Sequence, residues 1–204
     1  MKKRKAIIKL LIVLVAIFTM WIVTSEVKVI IKNGEIERYT IDKTQNEYYI
    51  ETTQDMWDFA EEVNNGNTFK GITVYLTADI DLGCTEENQW MTMGKYSYYY
   101  GNSCFEGTFD GQGYKITGLY INNDKSCQGL FGSNKGTLKN IICEGTIINT
   151  FNSSNDYGHI GGLVGYNDNG NIYNCHTHID ISADRYFVGG IVGQSKRRNN
   201  RKMQ

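Results

Sequence analysis

The chain of 204 residues has a formal charge of −1, but its charges are unevenly distributed. Ten of the 21 basic residues lie within residues 2–9 and 196–202, so the stretch between them holds 11 basic against 22 acidic residues. This acidic body repels a phosphate backbone, which argues against a nucleic-acid partner. The five cysteines form no CxxC pair and match neither a disulfide framework nor a zinc knuckle, so we interpret most of them as small apolar fillers. With 22 Gly and no Pro, the composition is typical of a turn-rich β protein.

Residues 1–25 have the pattern of a signal peptide or a membrane anchor. A basic start at residues 2–5 precedes an apolar run without charge over residues 10–24. This order predicts a cytoplasmic N-terminus, a membrane contact through this segment, and a body that is extracytoplasmic. Val23 and Ser25 leave cleavage open, so the body is either membrane-anchored or secreted to the cell surface.

The next two segments are predicted to form a hairpin and a helix. Residues 26–50 are interpreted as a linker or a short hairpin with Asn33-Gly34 as its turn. Residues 55–63 place four apolar side chains on one helical face, namely Met56, Phe59, Ala60 and Val63. We expect Thr53 to cap the start of this helix and Gly66 to follow its end.

A single strand is predicted over Ile72–Leu82, because apolar residues alternate there with polar ones. The inward side chains of this strand would be Ile72, Val74, Leu76, Ile80 and Leu82. Asp79 and Asp81 would then point outward together. Two neighbouring carboxylates can perform acid–base chemistry, but a solvated strand face is the preferred interpretation.

The remaining sequence repeats. Gly-aliphatic units start at Gly129, Gly162 and Gly190, which are nearly evenly spaced along the chain. The first two units are each followed by a segment of the form G-x-[LI]-x-N, at residues 136–140 and 170–174. Recurrence at this length predicts a stacked array in which each unit buries its apolar face on the next. Because the units consist of short strands and Gly/Asn turns, we predict an all-β solenoid over residues 51–195.

Aligning the second G-x-[LI]-x-N segment with the first gives a repeat alignment, in which Gly170 lies on Gly136. The same alignment places Ile172 on Leu138 and Cys175 on Ile141. We predict that these equivalent positions stack on one another in the core, so a structural role is preferred for Cys175.

These residues resemble the GLUG-motif family of bacterial surface proteins. The resemblance covers roughly residues 49–193 and includes the strand ITVYLTADIDL, the segment WMTMG from Trp90, the run FEGTFDGQGYKITGL from Phe105, and the three GLFG/GLVG/GIVG units. It implies a right-handed parallel β-helix whose N-terminal end is capped by the predicted helix. It also implies surface adhesion or a spacer role, in some members beside metallopeptidases, but this chain has no HExxH motif.

The chain departs from the family pattern in two places. Thr92 stands where the family usually has a proline. The last unit stops at Gly193-Gln-Ser, and residues 196–204 form a basic tail that we expect to be disordered. We therefore expect a truncated member of the family, whose last unit exposes Ile191 and Val192.

Two groups of side chains are candidate binding sites. The first is an outward row of His176, His178 and Asp180, beside which the repeat alignment places Glu144. Such a set can bind zinc, but an exposed polar face is preferred, and no metal or cofactor is predicted. The second group is a loop of tyrosines that could contact a surface glycan or a protein, or fold onto the side of the solenoid: Tyr96, Tyr98, Tyr99 and Tyr100.

The predicted function is non-catalytic, as an adhesin, stalk or spacer on the cell surface. The rival is a carbohydrate-active β-helix enzyme, a polysaccharide lyase or hydrolase, which would need several ionisable side chains converging in a groove. Asp110 is the acidic residue to consider for such a role, since the segment Phe-Asp-Gly-Gln-Gly is expected to expose it in a turn. A turn role for this Asp-Gly pair is preferred.

Overall fold

The computed structural model describes residues 25–32, 35–42, 46–95, 103–150, 158–184 and 187–196. The predicted apolar segment lies outside these residues, as do the tyrosine-rich loop and the tail after Lys196. No helix within the described ranges is long and apolar enough to cross a membrane. The chain divides into two compact units, Met1–Asn46 and Glu47–Gln204.

The first unit contains the predicted hairpin. Strand β1 (Ser25–Lys32) pairs antiparallel with β2 (Glu35–Asp42), with Lys32 opposite Glu35. This register leaves two residues for the connection, which is the length that an Asn-Gly turn requires. The hairpin prediction is confirmed, while Asn33-Gly34 itself lies outside the described residues.

In the described part of the second unit, the chain forms helix α1 (Thr53–Asn64) and fifteen strands. The strands are β3 (Glu47–Ile50), β4 (Thr73–Leu76), β5 (Ile80–Asp81), β6 (Thr108–Asp110), β7 (Lys115–Asn123), β8 (Cys127–Gln128), β9 (Phe131–Asn134), β10 (Thr137–Lys139), β11 (Ile142–Asn149), β12 (His159–Gly161), β13 (Val164–Asp168), β14 (Asn171–Tyr173), β15 (His176–Ala183), β16 (Phe187–Gly189) and β17 (Val192–Lys196). The unit begins at Glu47 rather than at residue 51, because β3 pairs with β4.

Parallel pairing joins these strands into four sheets. Their strand orders are β14-β10-β6-β4-β3, β15-β11-β7-β5, β16-β12-β8 and β17-β13-β9. The last three passages of the chain therefore each add one strand to each sheet in the same order, and the passage before them adds one strand to each of the first two sheets. We call these passages layers: layer 1 is β4–β5, layer 2 is β6–β9, layer 3 is β10–β13 and layer 4 is β14–β17.

The strand register follows the sequence repeats. Leu138 in layer 3 pairs with Ile172 in layer 4, as the repeat alignment predicts. Val164 pairs with Phe131 on one side and with Val192 on the other, so the three Gly-aliphatic units lie above one another. The apolar side chains at these paired positions belong to one continuous core.

Helix α1 buries the face that its sequence predicts. Met56, Phe59, Ala60 and Val63 are all buried. The capping residue differs from the prediction by one position, because Thr52 accepts from the backbone N–H of Asp55, and the Asp55 carboxylate accepts in return from the N–H of Thr52. Thr53 instead belongs to the first turn, where its Oγ1 donates to the backbone oxygen of Asp81 at 2.6 Å.

The strand predicted over Ile72–Leu82 is two strands in two sheets, and the prediction of one strand is wrong. The chain turns a corner after Leu76, where the backbone N–H of Thr77 donates to the oxygen of Ile50 at 2.9 Å. Leu76 and Ile80 are separated by an even number of positions, so the inward–outward alternation is the same before and after the corner. A period-2 pattern therefore cannot reveal this corner.

The two ends of the stack differ. Helix α1 lies over the start, where Trp57 Nε1 donates to the backbone oxygen of Leu82 at 3.2 Å. At the other end, Ile181 is only partly buried, whereas its partner Ile147 in layer 3 is fully buried. Ile191 is 38% exposed, as the sequence predicts, and Val192 is partly buried. Within the described ranges, layer 4 has no strand on its far side.

Candidate functional site

The outer face of β15 carries the predicted polar row. Its side chains alternate between exposed and partly buried, with His176, His178 and Asp180 exposed. Thr177 and Ile179 point toward the interior. This alternation confirms the orientation that the sequence predicts for the strand.

Glu144 lies directly beside His178 in the register, yet its carboxylate is engaged by another residue. Lys115 Nζ donates to Glu144 Oε1 at 3.1 Å. Among the described residues, no group of three or more His, Cys, Asp or Glu side chains could hold a metal ion. The described residues of this strand present a polar outer face.

The four tyrosines of the second candidate site lie outside the described residues. The segment that precedes them lines a shallow groove of about 310 Å³. Exposed Met91 and buried Gln128 contribute to its wall, and Lys95 and Lys125 are also among its lining residues. None of the described residues that line this groove is acidic, so its charge is opposite to that of the rest of the body.

Asp110 is buried rather than exposed, with 4% of its surface accessible, which corrects the prediction of an exposed carboxylate. Its Oδ1 accepts from the backbone N–H of Gln112 at 3.0 Å and from Asn140 Nδ2 at 2.8 Å, while Oδ2 pairs with Lys139 Nζ at 2.9 Å. Burial alone would raise the pKa of this carboxyl, but the three donors outweigh burial and lower the pKa. The turn role is confirmed, with an added role in joining layers 2 and 3.

Asp79 and Asp81 each accept a backbone hydrogen bond. Asp79 Oδ1 accepts from the N–H of Lys115 at 2.8 Å, and Asp81 Oδ1 accepts from the N–H of Gly83 at 3.0 Å. The first bond links the start of β5 to β7, and the second closes a turn at the end of β5. Both carboxylates therefore have a structural use.

The sequence analysis missed a ladder of asparagine side chains at one corner of the stack. Asn174 Nδ2 donates to Asn140 Oδ1 at 2.7 Å, and Asn140 Nδ2 donates to Asp110. Both asparagines have positive φ angles, 55° at Asn140 and 51° at Asn174. Asn tolerates this left-handed conformation better than most residues, and its amide both donates and accepts. This ladder could have been predicted from the sequence, because an Asn ends each of the two G-x-[LI]-x-N segments.

The five cysteines have no disulfide. Cys143 is fully buried in the core, and burial raises the pKa of its thiol to about 12. Burial also raises the pKa of Cys84, Cys104 and Cys175. Thiols that stay protonated are poor nucleophiles and poor metal ligands, in agreement with a filling role.

The geometry defines a protein built mostly of parallel β-strands with one helix, in which Asp79 and Asp110 bind donors from other segments of the chain. The family model for the GLUG motif matches residues 156–182, which run from before β12 into β15. The chain carries the GLUG motif, and the resemblance found in its sequence is confirmed.

The chain is also similar to halomucin from Haloquadratum walsbyi (strain DSM 16790 / HBSQ001), with 25% identity over 193 residues. The alignment covers 85% of this chain but 2% of halomucin, so the chain spans a small part of the length of that relative. No solved structure matches the chain significantly.

Proposed function

We infer that the protein is a non-catalytic component of the cell surface, an adhesin, stalk or spacer. The GLUG motif and the similarity to halomucin support a location outside the cytoplasm. The observation that carries the non-catalytic role is the use of the acidic side chains. Asp79, Asp81 and Asp110 each bind backbone or side-chain donors of the stack itself.

The four layers are the coils of a right-handed parallel β-helix in this proposal. Each layer supplies strands to the sheets in constant order, which is the path of a chain that winds about one axis. Connections between parallel strands of one sheet are right-handed in nearly all proteins, so we assign the same hand here. A rigid rod of stacked coils suits a part that holds other modules away from the membrane.

The basic start and the apolar run of residues 10–24 support export of this rod, with the membrane as the first partner. The test is surface proteolysis of intact cells that express the full chain with a C-terminal tag. We expect an external protease to remove the tag. A matched variant that lacks residues 2–24 should keep its tag inside the cell.

A protected tag on the full chain would contradict export. The non-catalytic role needs a separate measurement, in which the purified chain is incubated with acidic and neutral polysaccharides. We expect no new reducing ends and no unsaturated products. Release of either product would instead support the polysaccharide lyase or hydrolase.

A further inference from the structure

Within the described residues, the last layer of the stack, which we call its open end, has an unpaired strand edge. Strands β14–β17 pair with layer 3 on one side, and no described residue pairs with them on the other. Three large hydrophobic side chains of this layer are exposed, Tyr173 by 52%, Val188 by 40% and Ile191 by 38%. A free edge that also exposes apolar side chains is a template for pairing with another strand.

Strand β15 is the longest strand of this edge, with eight residues. The backbone N–H of His176 donates to the oxygen of Ile141, toward layer 3. Because successive residues of a strand direct their N–H and C=O groups to opposite sides, Thr177, Ile179 and Ile181 direct theirs to the open edge. Those three residues also point their side chains toward the interior, so a strand added here would extend both the hydrogen bonds and the core.

The exposed face of β15 is complementary to itself in one antiparallel register. If Ile179 lies on a twofold axis, it faces its own copy, and Thr177 faces Ile181. His178 then faces Asp180 in both directions, in the pair type where the side chains approach most closely. Moving the axis by one residue places either His178 or Asp180 opposite itself, which brings like groups together.

We propose that a second copy of this chain docks on β15, antiparallel, about a twofold axis at Ile179, with His178 opposite Asp180 of the second copy. At the start of the stack, helix α1 lies over the end of β5, where Thr53 and Trp57 already bind the backbone oxygens of Asp81 and Leu82. Two open ends that pair with each other leave no open end for a further copy, so the product is a dimer rather than a fibre. This assembly does not depend on the surface role proposed above.

The test exchanges the two side chains and measures dimerisation by sedimentation equilibrium of the full chain in a density-matched detergent. The single variants His178→Asp and Asp180→His each place like groups opposite each other. We expect each to weaken dimerisation about tenfold or more. The double variant restores an Asp–His pair and should dimerise as the parent does. His176→Asp is the matched control, since it faces Ser182 and should change little.

Circular dichroism of each variant establishes that it is folded. Hydrogen exchange of the parent gives a second measurement, in which the amides of Thr177, Ile179 and Ile181 should become more protected as the protein concentration rises. A parent that stays monomeric at high concentration overturns the proposal, because the edge is then covered by something else. Dimerisation that is equally strong in both single variants also overturns it.

Discussion

The contact between helix α1 and the core can be tested at Phe59. This side chain is fully buried, and its ring lies 4.8 Å from that of Phe69 and 5.8 Å from those of Phe105 and Phe109, measured between centroids. Removing a buried phenylalanine side chain costs about 3–5 kcal/mol, because contacts are lost and a cavity remains. Tyr48 is a fourth aromatic neighbour, with its ring centroid 5.7 Å away. We therefore expect Phe59→Ala to cost about 4 kcal/mol.

Urea unfolding of the full chain, followed by circular dichroism, measures this cost. With an m-value of about 2 kcal/mol/M, a loss of about 4 kcal/mol lowers the urea midpoint by about 2 M. Phe59→Asp should be worse still, because it buries a charge in the same place. Glu61→Ala is the matched control on the exposed side of the same helix, and it should change the free energy of unfolding by less than about 0.5 kcal/mol.

A loss below about 1 kcal/mol for Phe59→Ala would refute the reasoning, since such a value belongs to a partly exposed residue. A change in Glu61→Ala as large as that in Phe59→Ala would also refute it. In that case the helix would be generally sensitive to substitution, and the buried ring would not be the cause.

Three further outcomes are expected. Asp110→Asn removes the ion pair with Lys139 and should cost about 2 kcal/mol at pH 7. Because the pKa of Asp110 is lowered in the folded state, its stabilising effect is present above the unfolded pKa of about 3.9 and is lost as the pH falls through the folded pKa. The urea midpoints of the parent and of Asp110→Asn should therefore converge in acid. Asn140→Ala should cost about 2 kcal/mol in thermal melts, but Asn140→Gly less, because Gly accepts the positive φ angle and loses only the amide bonds. Cys143 should resist iodoacetamide in the native protein at pH 8 and react in urea, as mass spectrometry of the labelled peptides would show; labelling of native Cys143 would contradict its burial.

The sequence alone determined the features that depend on a local period. The repeat alignment placed Ile172 on Leu138, and the register confirms this pairing. The 3.6-residue period identified the buried face of helix α1, and Asn33-Gly34 identified the hairpin. These features are readable because neighbouring residues in the chain, or equivalent residues in successive repeats, specify them directly.

Only the tertiary structure decided which polar side chains are buried and where the strands bend. Asp110 is buried because Lys139 and Asn140 arrive from the next layer, far along the chain, and the donors they bring satisfy its carboxylate. The chain bends after Leu76 because β4 pairs in one sheet and β5 pairs in another. Both outcomes result from contacts between distant segments, and alternation within one segment carries no information about such contacts.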